Sequence, residues 1–141
     1  MNQSDPPALP SVLGRLLTTA RAVEVRLEAE LAEIGLSLPK AKVLRILSQE
    51  DGPQALSRLA ERGQCVKSNI TQLVDRLDAE GLVRRVENPA DRRSKKAAIT
   101  PLGVERQSAG ARALERVQRE LGSALSGVDL PGLERLLNKL K

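Results

Sequence analysis

The sequence predicts a mainly α-helical fold carrying one small β-hairpin, and three observations carry that prediction. The 141-residue chain contains no Phe, Tyr or Trp, so its core must be built from Leu, Val, Ile and Ala, a set that suits packed helices better than a β-sandwich. Apolar residues recur at helical spacing through most of its length. One stretch, residues 82–100, instead reads as two short strands around turn residues. A chain of this size holds one ordinary domain, or a small domain with extra helices, and not two catalytic domains.

Residues 1–10, with Pro6, Pro7 and Pro10 among polar neighbours, are expected to form a disordered or loosely docked tail. From Ser11 as N-cap, Leu13, Leu16, Ala20, Val23 and Leu27 follow alternating three- and four-residue steps, and Leu31 and Ile34 extend the stripe to Gly35. A helix over 11–35 is long for so small a domain, so part of it is expected to pack outside a single-chain core. Pro39 then opens a second helix where its missing N–H costs nothing, with Val43, Leu44 and Leu47 on the apolar face until Gly52-Pro53.

A short helix with Leu56, Leu59 and Ala60 follows, and Gly63-Gln64 turn into another over about Val66 to Glu80, closed by Gly81. On it Ile70, Leu73, Val74 and Leu77 form one stripe, while Lys67, Ser68, Thr71, Gln72, Asp75 and Arg76 lie around the other side. Two short helices joined by a tight glycine-containing turn are a helix-turn-helix. Next, Leu82 to Glu87 reads as a strand, Asn88-Pro89-Ala90-Asp91 as a turn, and Lys96 to Thr100 as the return strand. Between Arg84 and Lys96, six basic residues (Arg84, Arg85, Arg92, Arg93, Lys95, Lys96) stand against Glu87 and Asp91, concentrating most of the chain's net charge of +5 at one hairpin.

Thr100-Pro101 caps a last long helix, with Ala113, Leu114, Val117, Leu121 and Leu125 in register and Gly103 and Gly110 read as tolerated interruptions. After Ser126-Gly127, Leu133, Leu136, Leu137 and Leu140 make a C-terminal amphipathic helix whose apolar face needs a partner. The organisation expected is a tail (1–10), a dimerisation helix (11–35), a winged helix-turn-helix (36–100) and C-terminal dimerisation helices (101–141).

Composition excludes much chemistry. The chain has no His, which removes the commonest general base and the usual non-sulfur zinc ligand. With no phosphate-binding loop or zinc signature, neither catalysis nor a metal or cofactor is expected. A lone cysteine, Cys65, makes no internal disulfide and fits a reducing compartment. The N-terminus lacks the basic start and apolar run of a signal peptide, and no apolar run is long enough to cross a bilayer, so a cytoplasmic, non-membrane location is expected. Without the hairpin, the polar side of the 66–80 helix would read as solvated surface. With it, duplex DNA is the expected partner: short polar side chains fit the major groove, and a basic β-tip straddles phosphates or enters the minor groove. The absence of aromatic stacking platforms argues against single-stranded nucleic acid.

The segments Leu59-Ala60-Glu61-Arg62, Lys67 through Leu77, Glu80 through Arg85, Asp91-Arg92-Arg93-Ser94 and Ile99-Thr100-Pro101-Leu102-Gly103 together resemble the MarR family of winged-helix transcription regulators. Two departures stand out: Cys65-Val66 where the family often caps the reading helix with Ser or Thr, and Leu38-Pro39 where its second helix usually opens with Thr-Pro. The resemblance implies a homodimer on a pseudo-palindromic DNA site, a repressor role, and a small-molecule effector pocket between the DNA-binding and dimerisation parts.

The expected DNA-binding residues are Lys67, Ser68, Asn69, Thr71, Gln72, Arg76, Arg92, Arg93 and Lys95. Gln72 and Asn69 are the side chains able to pair bidentately with adenine, while Ser68 and Thr71 serve either phosphates or thymine methyls. By resemblance Arg93 is the residue that enters the minor groove, with Asp91 orienting one wing arginine. Two other readings remain open. Cys65, beside Lys67, Arg62 and a helix start, is a candidate redox sensor or a small core residue. The fold would also serve as a protein-interaction module without specific DNA binding.

Overall fold

The computed structural model describes residues 8–65 and 67–141; most of the expected tail and Val66 lie outside the described residues. The elements in chain order are α1 (Leu9–Ala32), α2 (Leu38–Ser48), β1 (Gln54–Ala55), α3 (Leu56–Gly63), α4 (Lys67–Ala79), β2 (Val83–Asn88), β3 (Asp91–Ile99), α5 (Pro101–Ala124) and α6 (Leu130–Lys139).

α1 begins two residues before the expected cap. Ala8 occupies the N-cap without a side-chain hydrogen bond and Pro10 sits in the first turn, so Ser11 is inside the helix rather than capping it. Proline is tolerated there because first-turn N–H groups have no intrahelical acceptor. Three of the later helices start on side-chain caps, while α3 follows Ala55 without one. Ser37 Oγ accepts from Lys40 N at 3.4 Å in front of Pro39, and Thr100 Oγ1 accepts from Gly103 N at 3.0 Å in front of Pro101. Asp129 Oδ1 does the same for Gly132 N at 3.0 Å, opening α6.

The sheet has three strands, not two. β1 pairs antiparallel with β3 (Gln54 opposite Ala97, Ala55 opposite Lys96), giving the order β1-β3-β2. In the hairpin proper Val83 faces Ile99 and Arg85 faces Ala97, with an irregularity at Glu87/Asn88. β3 starts at Asp91, five residues earlier than expected, so Arg92 to Lys95 belong to a strand and not to an open loop.

The core gathers where α2, α3 and α4 meet the base of the sheet and the end of α1. Leu31, Leu44, Leu47, Leu59, Ile70, Val74, Leu77, Leu82, Val83 and Val117 are almost wholly removed from water, each side chain contributing about 1.5–3 kcal/mol by burial. α1 and α5 pack side by side, and charged groups bridge them: Arg26 reaches Glu120 at 2.9 Å and Glu30 takes Arg116 at 3.3 Å. Arg106 Nη1 donates to the Ile34 carbonyl at 2.8 Å, fixing the end of α1 to α5. Towards the other end of these helices the stripes emerge from the core. Leu13, Leu16, Leu121 and Leu125 are exposed, as are Leu136, Leu137 and Leu140 of α6.

Candidate nucleic-acid interface

α4 turns its Ile70, Val74 and Leu77 inward, which leaves the opposite side of the helix in water. Ser68, Asn69, Gln72, Asp75 and Arg76 are exposed there, and Thr71 is half-buried. The Lys67 side chain lies outside the described ones. The helix is aimed by its neighbours: α3 ends at Gly63, Gln64 takes the left-handed conformation (φ 54°) and the Cys65 amide donates to the Ala60 carbonyl at 2.8 Å. The left-handed residue is therefore Gln64, while Gly63 remains helical and buried. At the far end Lys40 of α2 pairs with Glu80 at 2.5 Å.

The wing presents Arg92, Arg93 and Lys95 to solvent from β3 and Arg84 from β2. Its tip is shaped by two short polar side chains: Asn88 Oδ1 accepts from Ala90 N and Asp91 Oδ1 from Arg93 N, both at 3.0 Å. Asp91 thus holds the backbone of Arg93 rather than a guanidinium. The reading helix and the wing meet at a cleft of about 260 Å³, where Ile70 and Thr71 of α4 face Arg93, Ser94 and Lys95, with Ala55, Leu56 and Ser57 closing the floor. The cleft brings together Thr71, Arg93 and Lys95 from the expected set; Ser68, Asn69, Gln72, Arg76 and Arg92 do not line it. Ser57 and Ser94 were not expected here. Ser57 arrives because the two-residue β1 docks on β3, and a strand that short has no periodicity to read.

Arg85, counted by sequence among the wing cations, has a different place. It forms an ion pair with Asp75 of α4, so part of the hairpin's positive charge is spent within the molecule. Arg62 likewise pairs with Glu50. Cys65 is half-buried, with Sγ 3.5 Å from the Gly63 carbonyl oxygen. It lines a second cavity of about 610 Å³, walled by Leu38, Ala41, Lys42 and Arg45 of α2, by Gly63, and by Gly110, Ala111 and Leu114 of α5. Among the described residues no group of three or more His, Cys, Asp or Glu is placed to hold a metal ion. Nor is any helix among them long and apolar enough to cross a membrane.

Charge between α1 and α5 is tightly organised. The Glu30 carboxyl is held below its ordinary range, first by the hydrogen bond from Arg26 (2.7 Å), against opposing burial, with Arg116 adding to the effect. The Arg26 guanidinium is correspondingly raised by Glu30 and then Glu120.

Comparison with known proteins fits this geometry. The chain is 35% identical over 86 residues to the HTH-type transcriptional regulator YfiV of Bacillus subtilis, a match covering 61% of this chain and 51% of that protein. It therefore spans about half the length of the curated relatives it matches. AbsC, a MarR family transcriptional regulator from Streptomyces coelicolor, superposes with a TM-score of 0.83 at 25% identity, covering 97% of this chain and 95% of that one. A single-residue variant of MarR from Escherichia coli, complexed with operator DNA, shares the fold with a TM-score of 0.81 at 24% identity, covering 97% and 99% of the two chains. Residues 36–95, from two residues before α2 into β3, match the MarR family model, and the winged-helix architecture around them is the one this chain shares with the MarR family regulator AbsC.

Proposed function

We propose that this chain is a homodimeric, sequence-specific regulator of transcription that binds double-stranded DNA at a pseudo-palindromic site and represses until a small ligand releases it. The observation that carries the reading is the cleft at which the polar side of α4 meets the cationic strand of the wing, with Thr71 beside Arg93 and Lys95. An α-helix with short polar side chains fits the major groove while the wing engages phosphates or the adjoining minor groove. Residues 36–100 are then the DNA-binding part, and 11–35 with 101–141 the dimerisation part.

The exposed leucines of α1, the end of α5 and α6 support the dimer, because an apolar surface of that extent on a small chain is covered most economically by a second copy in a symmetric interface. The larger cavity, bordered by α2, the turn before α4 and α5, is a suitable seat for the effector, since a ligand there touches the segment that aims the reading helix. The tests are sedimentation and fluorescence anisotropy. A dimer at micromolar concentration should bind duplex from upstream of its own gene, with affinity falling steeply as salt rises. A stable folded monomer would overturn the dimer. Binding that ignores both sequence and salt would leave a protein-interaction module.

A further inference from the structure

Asp75 is out of place on a surface that meets DNA. It lies on the same side of α4 as Thr71 and Gln72, four and three residues away in the chain, its side chain is 56% exposed, and a carboxylate so placed repels a phosphate backbone. Its partner explains its position. Arg85 projects from β2 on the strand face it shares with the buried Val83, and its Nε and Nη2 atoms are buried without a hydrogen bond to any described residue. The Asp75 carboxylate, in ion-pair contact with Nη2, is the charge that compensates them. The pair joins the reading helix directly to the β2 strand of the wing.

We propose that Arg85 and Asp75 are positioning residues: their ion pair is a brace that sets the wing against α4 so that helix and wing engage one duplex together. The inference rests on the DNA-binding reading above and adds to it a determinant of specificity that need not touch a base. Phosphate contacts alone hold any duplex, whereas a specific site demands that helix and wing be in register at once. Loosening the brace therefore costs specific binding and spares nonspecific binding.

The sign of one substitution separates this from simple electrostatics. Asp75→Asn removes a negative charge beside DNA, so charge alone predicts tighter binding to every duplex. The brace predicts the opposite at the specific site: affinity there falls about tenfold, affinity for an unrelated duplex is unchanged or rises, and hydroxyl-radical protection by the wing weakens relative to that by α4. Asp75→Glu, which keeps the carboxylate, retains the specific-to-nonspecific ratio within about threefold. If Asp75→Asn does not fold, Asp75→Ser carries the same test. A variant that binds both duplexes more tightly, or loses both in equal proportion, overturns the brace. A wild-type protein that does not distinguish the two duplexes overturns the regulator reading on which the brace stands.

Discussion

A β-carbon on Gly103 would stand 2.0 Å from the carbonyl oxygen of Leu82, so the first turn of α5 rests directly on the backbone that leads into β2. The same carbonyl accepts from Thr100 N at 3.1 Å, and Thr100 Oγ1 donates to the Gly81 carbonyl at 2.6 Å. Cap, close approach and strand entry therefore form one joint between the wing and the long helix.

Gly103→Ala should destabilise the protein by about 2–4 kcal/mol, since backbone rather than a flexible side chain must give way. Gly122, in the same helix, has nothing within 4 Å of its would-be β-carbon, and Gly122→Ala should stabilise by about 0.5–1 kcal/mol. Denaturant melts of the two variants test the contrast; equal signs would refute the joint.

Gly103 also marks where sequence ceases to be informative. Read along the chain, it and Gly110 look like tolerated interruptions of a helix, yet Gly110 admits Leu36, whose Cδ1 would lie 3.1 Å from a β-carbon there. Close approach between elements distant in sequence leaves no periodic trace. Periodicity did locate α2 through α5, because Val43, Leu44, Leu47, Ile70, Val74 and Leu77 are all buried. It missed β1, two residues long, and with it Ser57 at the cleft. The cation count placed the basic wing correctly but did not separate Arg85, tied to Asp75, from Arg93, which is exposed. Pairing is a property of the folded chain, and composition registers only totals.

The turn between α3 and α4 offers a second stability test. Gln64 holds a positive φ of 54°, a conformation that costs an L-residue about 1 kcal/mol relative to glycine. Gln64→Gly should raise stability by about 0.5 kcal/mol, the gain being trimmed by the greater freedom of glycine in the unfolded chain. A loss of stability in thermal melts would mean that the Gln64 side chain contributes contacts exceeding the strain.

On DNA, the proposed roles of the helix and the wing separate by salt and by sequence. Arg93→Ala should weaken specific binding about tenfold and lower the slope of log affinity against log salt by about 1, as loss of one phosphate-neutralising group requires. Gln72→Ala should instead relax preference at one base pair, by about 1–3 kcal/mol, with little change on unrelated duplex. Anisotropy titrations across salt and across single-base-pair variants distinguish these. An unchanged affinity for Arg93→Ala would remove the wing from the interface, and a uniform loss for Gln72→Ala would reassign that side chain to the backbone.

The pH dependence of folding follows from Glu30, whose carboxylate lies between Arg26 at 2.7 Å and Arg116 at 3.3 Å. The hydrogen bond from Arg26 holds its pKa below the ordinary 4.5, outweighing the burial that would raise it. A carboxyl depressed on folding contributes stability that is fully present above its unfolded pKa and is lost as pH falls through the folded value. Arg26, raised still further above neutrality, remains charged throughout and adds no slope in this range. Glu30→Gln should therefore lower the melting temperature at neutral pH, and the gap from wild type should hold steady down to about pH 5 and close below it as the wild-type carboxyl takes up its proton. Melts of both proteins across that range check the sign. A gap that widens on acidification would show that Glu30 is stabilised in its protonated form, and that the α1–α5 contact is held by packing of Leu31, Ala113 and Val117 without help from this bridge.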